Sequence, residues 1–535
     1  MSAATMKNAN SMHRLLPLMM MGAALLIAGA ARAAAPGITG PTFNLVAKPN
    51  YISQPDGQMV YSWGYGCNGP PSGYSPSAIT NSFCNDMQVP GPTLIVHEGE
   101  TVTVNLTNGL PNPAGNTSIL FPGFASTATG GVAGLLTQEA QPGGSVTYTF
   151  TATTPGTRAY YSGTQGDLQV EMGLYGAIIV LPAVANVPAV CTTGLAATNL
   201  QAEGHWGESD FRNAPSAYDH PKTCYDREYM FQFAAMDPNI HKQALAQVTA
   251  LGACAAGTTG CSLTVPTEPY HPAYFMINGR SMPDDMDPNY ASQYPHQPYN
   301  GNPHMHPGEQ VLLRIIGQGR WQHPFHEHGN HVRVLARDGN LILSATDPNS
   351  LAGPLLFTTT TTPGLAMDGI YYWTGRGLNW DAYGHNPAST DANAKLSCVP
   401  DANGYNTAGS DGLAYTRINY YEWCQDHNKP LEVKPFGDVG AGGPVTLPDP
   451  NLFTNGAWFG GSPYLGPNAT VRAVGSSGTT PPSGTVANSP GGEAGFAFMW
   501  HSHNEREITT NNIFPGGMLM MMLVDSREFV IDESN

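Results

Sequence analysis

Gly91-Pro-Thr-Leu-Ile-Val-His-Glu-Gly-Glu-Thr-Val-Thr-Val-Asn-Leu-Thr-Asn108 is answered far along the chain by Gly301-Asn-Pro-His-Met-His-Pro-Gly-Glu-Gln-Val-Leu-Leu-Arg-Ile-Ile316. In both stretches a Gly-Glu turn leads into a run of β-branched and apolar residues, the pattern of a buried strand. Each is followed by a second block, Thr117–Phe124 in one case and His323–Leu335 in the other. Each is closed by a glycine- and aromatic-rich strand pair: Gly156–Gly163 with Met172–Val180, and Gly495–His503 with Gly516–Val524. Two copies of one strand order imply an all-β chain of two homologous sandwiches in tandem. The first is expected over 41–183. A linker follows at 184–224, and the second module runs over 225–535 from a strand near Asp226–Phe233. That second segment is too long for one sandwich. The stretch from about 345 to 490, rich in Gly, Pro, Asn, Asp and Thr, reads as a long insertion or a degenerate third sandwich, with a flexible loop at 473–494. One helix is expected, over Ile240–Gly252.

Composition agrees with this. The 535 residues include 62 glycines and 46 prolines, and only 11% are charged, which disfavours long helices and suits many short strands and turns. Lys7 and Arg14, an apolar run from Leu15 to Ala30 and the small residues up to Ala35 have the form of a secretory signal over residues 1–35. Pro17 and Gly22 interrupt that run, which is short for a membrane span. Without it the chain keeps 19 Lys+Arg against 39 Asp+Glu, so the net charge of −17 becomes −20. Such acidity excludes a nucleic-acid partner and argues against an anionic membrane surface. An exported protein is expected, periplasmic, cell-surface or secreted, with no integral span once the signal is removed. Its eight cysteines suit disulfides. Of the 105 pairings that eight cysteines allow, the simplest is local: 67–84, 191–224, 254–261 and 398–424.

The chemistry concentrates in the second module. His326-Glu327-His328 and His501-Ser502-His503 are two His-x-His pairs, and His323 precedes the first by three residues. Alternate residues of a strand face one way, so two such strands side by side aim four imidazoles into one small volume. Neutral imidazole is a good ligand for copper and zinc. The alternation turns Glu327 away from its flanking histidines. Glu327, Glu505 and Glu507 are read as solvated loop residues. His304-Met305-His306 is expected at the surface, His331 beside the main cluster, and Met518, Met520, Met521 and Met522 as packing in a closing core strand.

The stretches His323–His331 (HPFHEHGNH) and His501–Met518 (HSHNEREITTNNIFPGGM) resemble the motifs of the multicopper oxidase family, built from cupredoxin-like Greek-key sandwiches. The segment around Gly91–Asn108 and Gly173–Pro182 looks like that family's N-terminal cupredoxin. The resemblance implies a type 1 copper held by two His, a Cys and an axial Met, and a trinuclear cluster held by four His-x-His pairs. His323 and Met518 match two of the type 1 ligands, while Ser502 stands where the Cys would be and Glu507 near the second His. His326, His328, His501 and His503 match half of the trinuclear set. The other half falls on Leu120-Phe121-Pro122 and Tyr161-Ser162-Gly163, which bring no histidine. The expectation is therefore an exported copper-binding oxidoreductase with one or two copper ions and no complete type 1 site. It would act on a small molecule or metal ion, with homo-oligomerisation left open. The alternative is a catalytically silent cupredoxin scaffold, copper-binding or structural, at the cell surface.

Overall fold

The structure is a computed structural model and describes residues 34–193, 209–306, 309–373, 461–464, 470–471, 486–487, 495–525 and 531–532. The expected 398–424 disulfide, nearly all of the signal and most of the insertion lie outside these residues.

The first module places seven principal strands in two sheets. These are β1 (Thr42–Ser53), β2 (Met59–Cys67), β3 (Leu94–His97), β4 (Thr101–Asn108), β5 (Ser145–Thr151), β6 (Gly156–Tyr161) and β7 (Tyr175–Leu181). One sheet runs β2-β1-β4-β5, and the other runs β6-β7-β3, each extended by short edge strands. Alternation decides which side of β4 faces inward. Val102, Val104 and Leu106 are buried and pair across the ladder with Phe150, Tyr148 and Val146 of β5. Each such side chain contributes about 1.5–3 kcal/mol on burial.

The second module repeats the scheme with β8 (Arg227–Met236), helix α1 (Pro238–Leu251), β9 (Tyr274–Ile277), β10 (Gln310–Gly317), β11 (His323–Glu327), β12 (Val332–Arg337), β13 (Thr358–Thr361), β14 (Ala366–Tyr372), β15 (Gly495–Ser502) and β16 (Leu519–Asp525). Its sheets run β9-β8-β10-β14-β12 and β16-β15-β11-β13. The shared topology is visible in its parallel pairs: β1 with β4 corresponds to β8 with β10, and β3 with β7 to His304–Met305 with β16. The all-β cupredoxin-like architecture is thus present as expected. Thr358–Thr361 and Ala366–Tyr372, left in the insertion by composition, are integral strands of both sheets. The helix starts earlier than expected, because the Asp237 side chain caps it by accepting from the Asn239 N–H at 2.9 Å. Three of the local disulfides are formed: Cys67–Cys84, Cys191–Cys224 and Cys254–Cys261. Among the described residues no helix is long and apolar enough to cross a membrane.

The modules meet through buried charge. Arg314 Nε on β10 lies 2.8 Å from Glu228 Oε2 on β8, and its Nη1 lies 3.8 Å from Asp368 on β14. From the first module, the Thr157 N–H and hydroxyl donate to Asp368 at 3.0 and 2.6 Å. The Tyr218 hydroxyl donates to the same carboxylate at 2.5 Å. Removing Asp368 would leave three donors, the Thr157 N–H and hydroxyl and the Tyr218 hydroxyl, without their acceptor, and Arg314 with Glu228 as its one carboxylate. Asp368→Ala is therefore expected to cost about 3–5 kcal/mol, read as a fall in the denaturant midpoint. A midpoint equal to that of the wild type would show that the network does not join the modules.

Candidate functional site

The antiparallel ladder between β11 and β15 pairs Phe325 with Ser502, His326 with His501 and Glu327 with Trp500. Opposed residues in such a ladder share a face. The six residues singled out in the sequence therefore divide. His326, His328, His501 and His503 stand on one side of the sheet. His323 and Ser502 stand on the other, with Phe325 and Trp500 of the core.

On the first side the four imidazoles do converge. Their ring centroids lie 4.8 Å (326–328), 4.9 Å (326–503), 5.1 Å (328–501), 5.6 Å (326–501) and 5.6 Å (501–503) apart. Most of these contacts are edge-to-face. Four of their ring nitrogens have partners within the protein. His501 Nδ1 is 2.7 Å from the Ser502 carbonyl, which can only accept, so that nitrogen carries the proton. His501 Nε2 is then the acceptor, and His328 Nε2 donates to it across 3.2 Å. His326 Nδ1 meets the Thr358 hydroxyl at 2.7 Å.

This arrangement overturns the copper expectation. Among the described residues no group of three or more His, Cys, Asp or Glu side chains could hold a metal ion. With no such group among the described residues, the oxidoreductase centre expected at these histidines falls too. His326, His328 and His501 spend four ring nitrogens on one another, on the Ser502 carbonyl and on the Thr358 hydroxyl, and His503 is exposed at the edge of the cluster.

The surroundings explain why the rings sit as they do. The His328 carbonyl accepts from the Trp500 indole at 2.9 Å and from the Tyr371 hydroxyl at 3.2 Å. Gly329 follows at φ +97°, where a Cβ would stand 2.3 Å from the Tyr371 oxygen, so the strand can turn only through glycine. Thr358, Tyr371 and Trp500 carry no motif and were not singled out from sequence; only the alternation Trp500-His501-Ser502 hinted that Trp500 points inward.

On the opposite side, His323 Nδ1 lies 2.9 Å from Glu507 Oε2. Neither ring nitrogen is aligned for a hydrogen bond, so the contact is a close approach of imidazole and carboxylate. The Ser502 hydroxyl donates to the same Oε2 at 2.5 Å, and Asn504 Nδ2 donates to Oε1 at 3.0 Å. Met518 is fully buried beside them, and its N–H donates to the Glu507 carbonyl at 2.8 Å. The reading of the glutamates as solvated holds for Glu505 but fails for Glu327 and Glu507, both with no exposed surface. His304 and His306 are likewise buried: His304 Nδ1 pairs with Asp525 Oδ2 at 2.6 Å, and His306 Nδ1 faces the Asp525 carbonyl at 3.2 Å. Met520 and Met522 fill the core as expected, and the His331 ring lies edge-on to Phe357. In the first module the corresponding bridge joins Leu120 to Tyr161, with no imidazole.

Burial first, then the neighbouring imidazoles, holds His326 down from 6.5 to about 4. Burial lowers His501 also. Desolvation raises the Glu327 carboxyl from 4.5 to about 8; its Oε1 accepts from Thr359 at 2.7 Å and its Oε2 has no partner. The two act in opposite directions. The unfolded chain protonates His326 first, so its contribution is lost as pH falls from 6.5 towards about 4. Folded Glu327 keeps its proton to about 8, so stability is full below 4.5 and falls as pH rises towards 8. Melting temperature against pH should therefore flatten on the acid side in His326→Asn and on the alkaline side in Glu327→Gln. A Glu327→Gln profile as steep as the wild type between 4.5 and 8 would refute the buried-acid assignment.

The chain is similar to known proteins over part of its length. Residues 74–184 match the family model described as multicopper oxidase. A laccase of Aspergillus fumigatus, abr2, is 38% identical over 117 residues, 21% of this chain and 18% of that protein. The multicopper oxidase MCE of Talaromyces pinophilus is 38% identical over 104 residues, 19% of this chain and 16% of that one. The copper-containing nitrite reductase of Pseudomonas chlororaphis is 38% identical over 96 residues, covering 18% and 25%. The chain thus spans a quarter or less of the length of these relatives. Among solved structures, the blue copper oxidase of Nitrosomonas europaea aligns over 90% of this chain and 85% of its own, at 15% identity and a TM-score of 0.41. The multicopper oxidase mgLAC aligns over 90% and 86%, at 15% identity and 0.43.

Proposed function

Because the chain is a low-identity member of the multicopper-oxidase family of cupredoxin-fold proteins, we propose that it serves as an exported, catalytically silent scaffold with a structural role at the cell surface. The observation that carries this reading is the four-histidine cluster. Its rings pack against one another, and His326, His328 and His501 spend four nitrogens on the Ser502 carbonyl, the Thr358 hydroxyl and each other. Imidazole placed this way stabilises a sheet face as hydrogen-bonded packing, about 0.5–1.5 kcal/mol per bond. The first module brings Leu120 and Tyr161 to the equivalent bridge, so it adds no redox ligand of its own.

The signal-like N-terminus, the acidic surplus and the three disulfides support export, since disulfides persist in oxidising compartments. A paired, cross-linked sandwich with few exposed charges suits a durable extracellular part.

Oxygen uptake decides between scaffold and enzyme. Purified protein incubated with copper and offered phenols or reduced metal ions is expected to consume oxygen no faster than buffer containing the same copper. Turnover that disappears in His501→Ala would overturn the scaffold reading.

A further inference from the structure

The place that the family resemblance assigns to a type 1 copper is filled by the protein's own carboxylate. His323, Ser502, Glu507 and Met518 occupy the four ligand positions, and each is at most 1% exposed. Glu507 Oε2 sits between the Ser502 hydroxyl at 2.5 Å and His323 Nδ1 at 2.9 Å. This donor set does not fit the metal: a hydroxyl replaces the soft thiolate, and the Glu507 carboxyl group stands 2.9 Å from the imidazole Nδ1. We propose that Glu507 is the built-in occupant of this position, the residue that excludes a metal there and ties β11, β15 and the loop 503–517 together in its stead.

Two further observations place the carboxylate as a strut. Its Oε1 accepts from Asn504 within the loop, and the Glu507 backbone carbonyl accepts from Met518 beyond it, so the loop closes around this one residue. Gly517, at φ +63°, lies so close that a Cβ there would stand 2.1 Å from the Glu507 carbonyl oxygen. The chain is pressed onto Glu507, and only glycine allows the approach. A buried carboxylate is tolerated where it is paired and hydrogen-bonded, and this one has His323, Ser502 and Asn504.

The test compares S502C, S502C/E507H and E507Q with the wild type. Each full-length protein is incubated with Cu(II), freed of excess metal, scanned for an intense visible thiolate-to-copper band, and melted. S502C, which keeps Glu507, is expected to show no such band, whereas S502C/E507H gains it with about one bound copper per chain. An equally strong band in S502C would show that Glu507 does not exclude the metal, and a folded S502C/E507H without a band would overturn the proposal outright. Should the double variant fail to fold, E507Q decides: it keeps the shape of the side chain but loses the charge. Its melting temperature is expected to fall by about 5 °C, and an unchanged melt would show that the carboxylate is no strut.

Discussion

The register of one ladder governs the second module. Setting His326 opposite His501 puts four imidazoles on one side of the sheet and His323 with Ser502 on the other. A slip of one residue would turn the imidazoles into the core and Phe325 and Trp500 out of it. Those two rings hold the register: Phe325 packs on Phe233 at 4.6 Å, and Trp500 packs on Tyr371 at 4.9 Å, all of them buried. The polar arrangement on both faces is therefore set by aromatic packing beneath it.

Both faces have reached the same kind of solution by different means. On one, neutral imidazoles hydrogen-bond to each other, to a hydroxyl and to a carbonyl. On the other, a carboxylate pairs with an imidazole and two side-chain donors. In each case several polar groups that could have met an external partner meet protein instead. Buried polar groups left unmet cost about 1–3 kcal/mol apiece, so these internal hydrogen bonds stabilise the strands that carry them. The same economy joins the modules, where Arg314, Glu228 and Asp368 are all buried and all paired.

Much of this was legible in the sequence. The repeat of Gly91–Asn108 at Gly301–Ile316 revealed the tandem sandwiches, because strand order and alternation survive in the residues themselves. Period-2 spacing foretold the convergence of His326, His328, His501 and His503. The local disulfides followed from short spacings. What spacing could not reveal was where the ring nitrogens point. That depends on Thr358, a residue on another strand, and on a turn at Gly329 fixed by Tyr371. The burial of Glu507 was equally hidden, since a glutamate in a loop rich in Asn, Thr and Gly is ordinarily solvated. Only the close approach at Gly517 folds that loop inward. Asp368 was concealed for a related reason: its donor Thr157 lies in the other module.

Retained copper measures the central claim most directly. Wild-type protein and a variant with His326, His328, His501 and His503 all replaced by alanine would be loaded with Cu(II), dialysed and analysed for metal. The packed cluster predicts equal copper in the two. Stoichiometric copper in the wild type that is lost in the variant would contradict it.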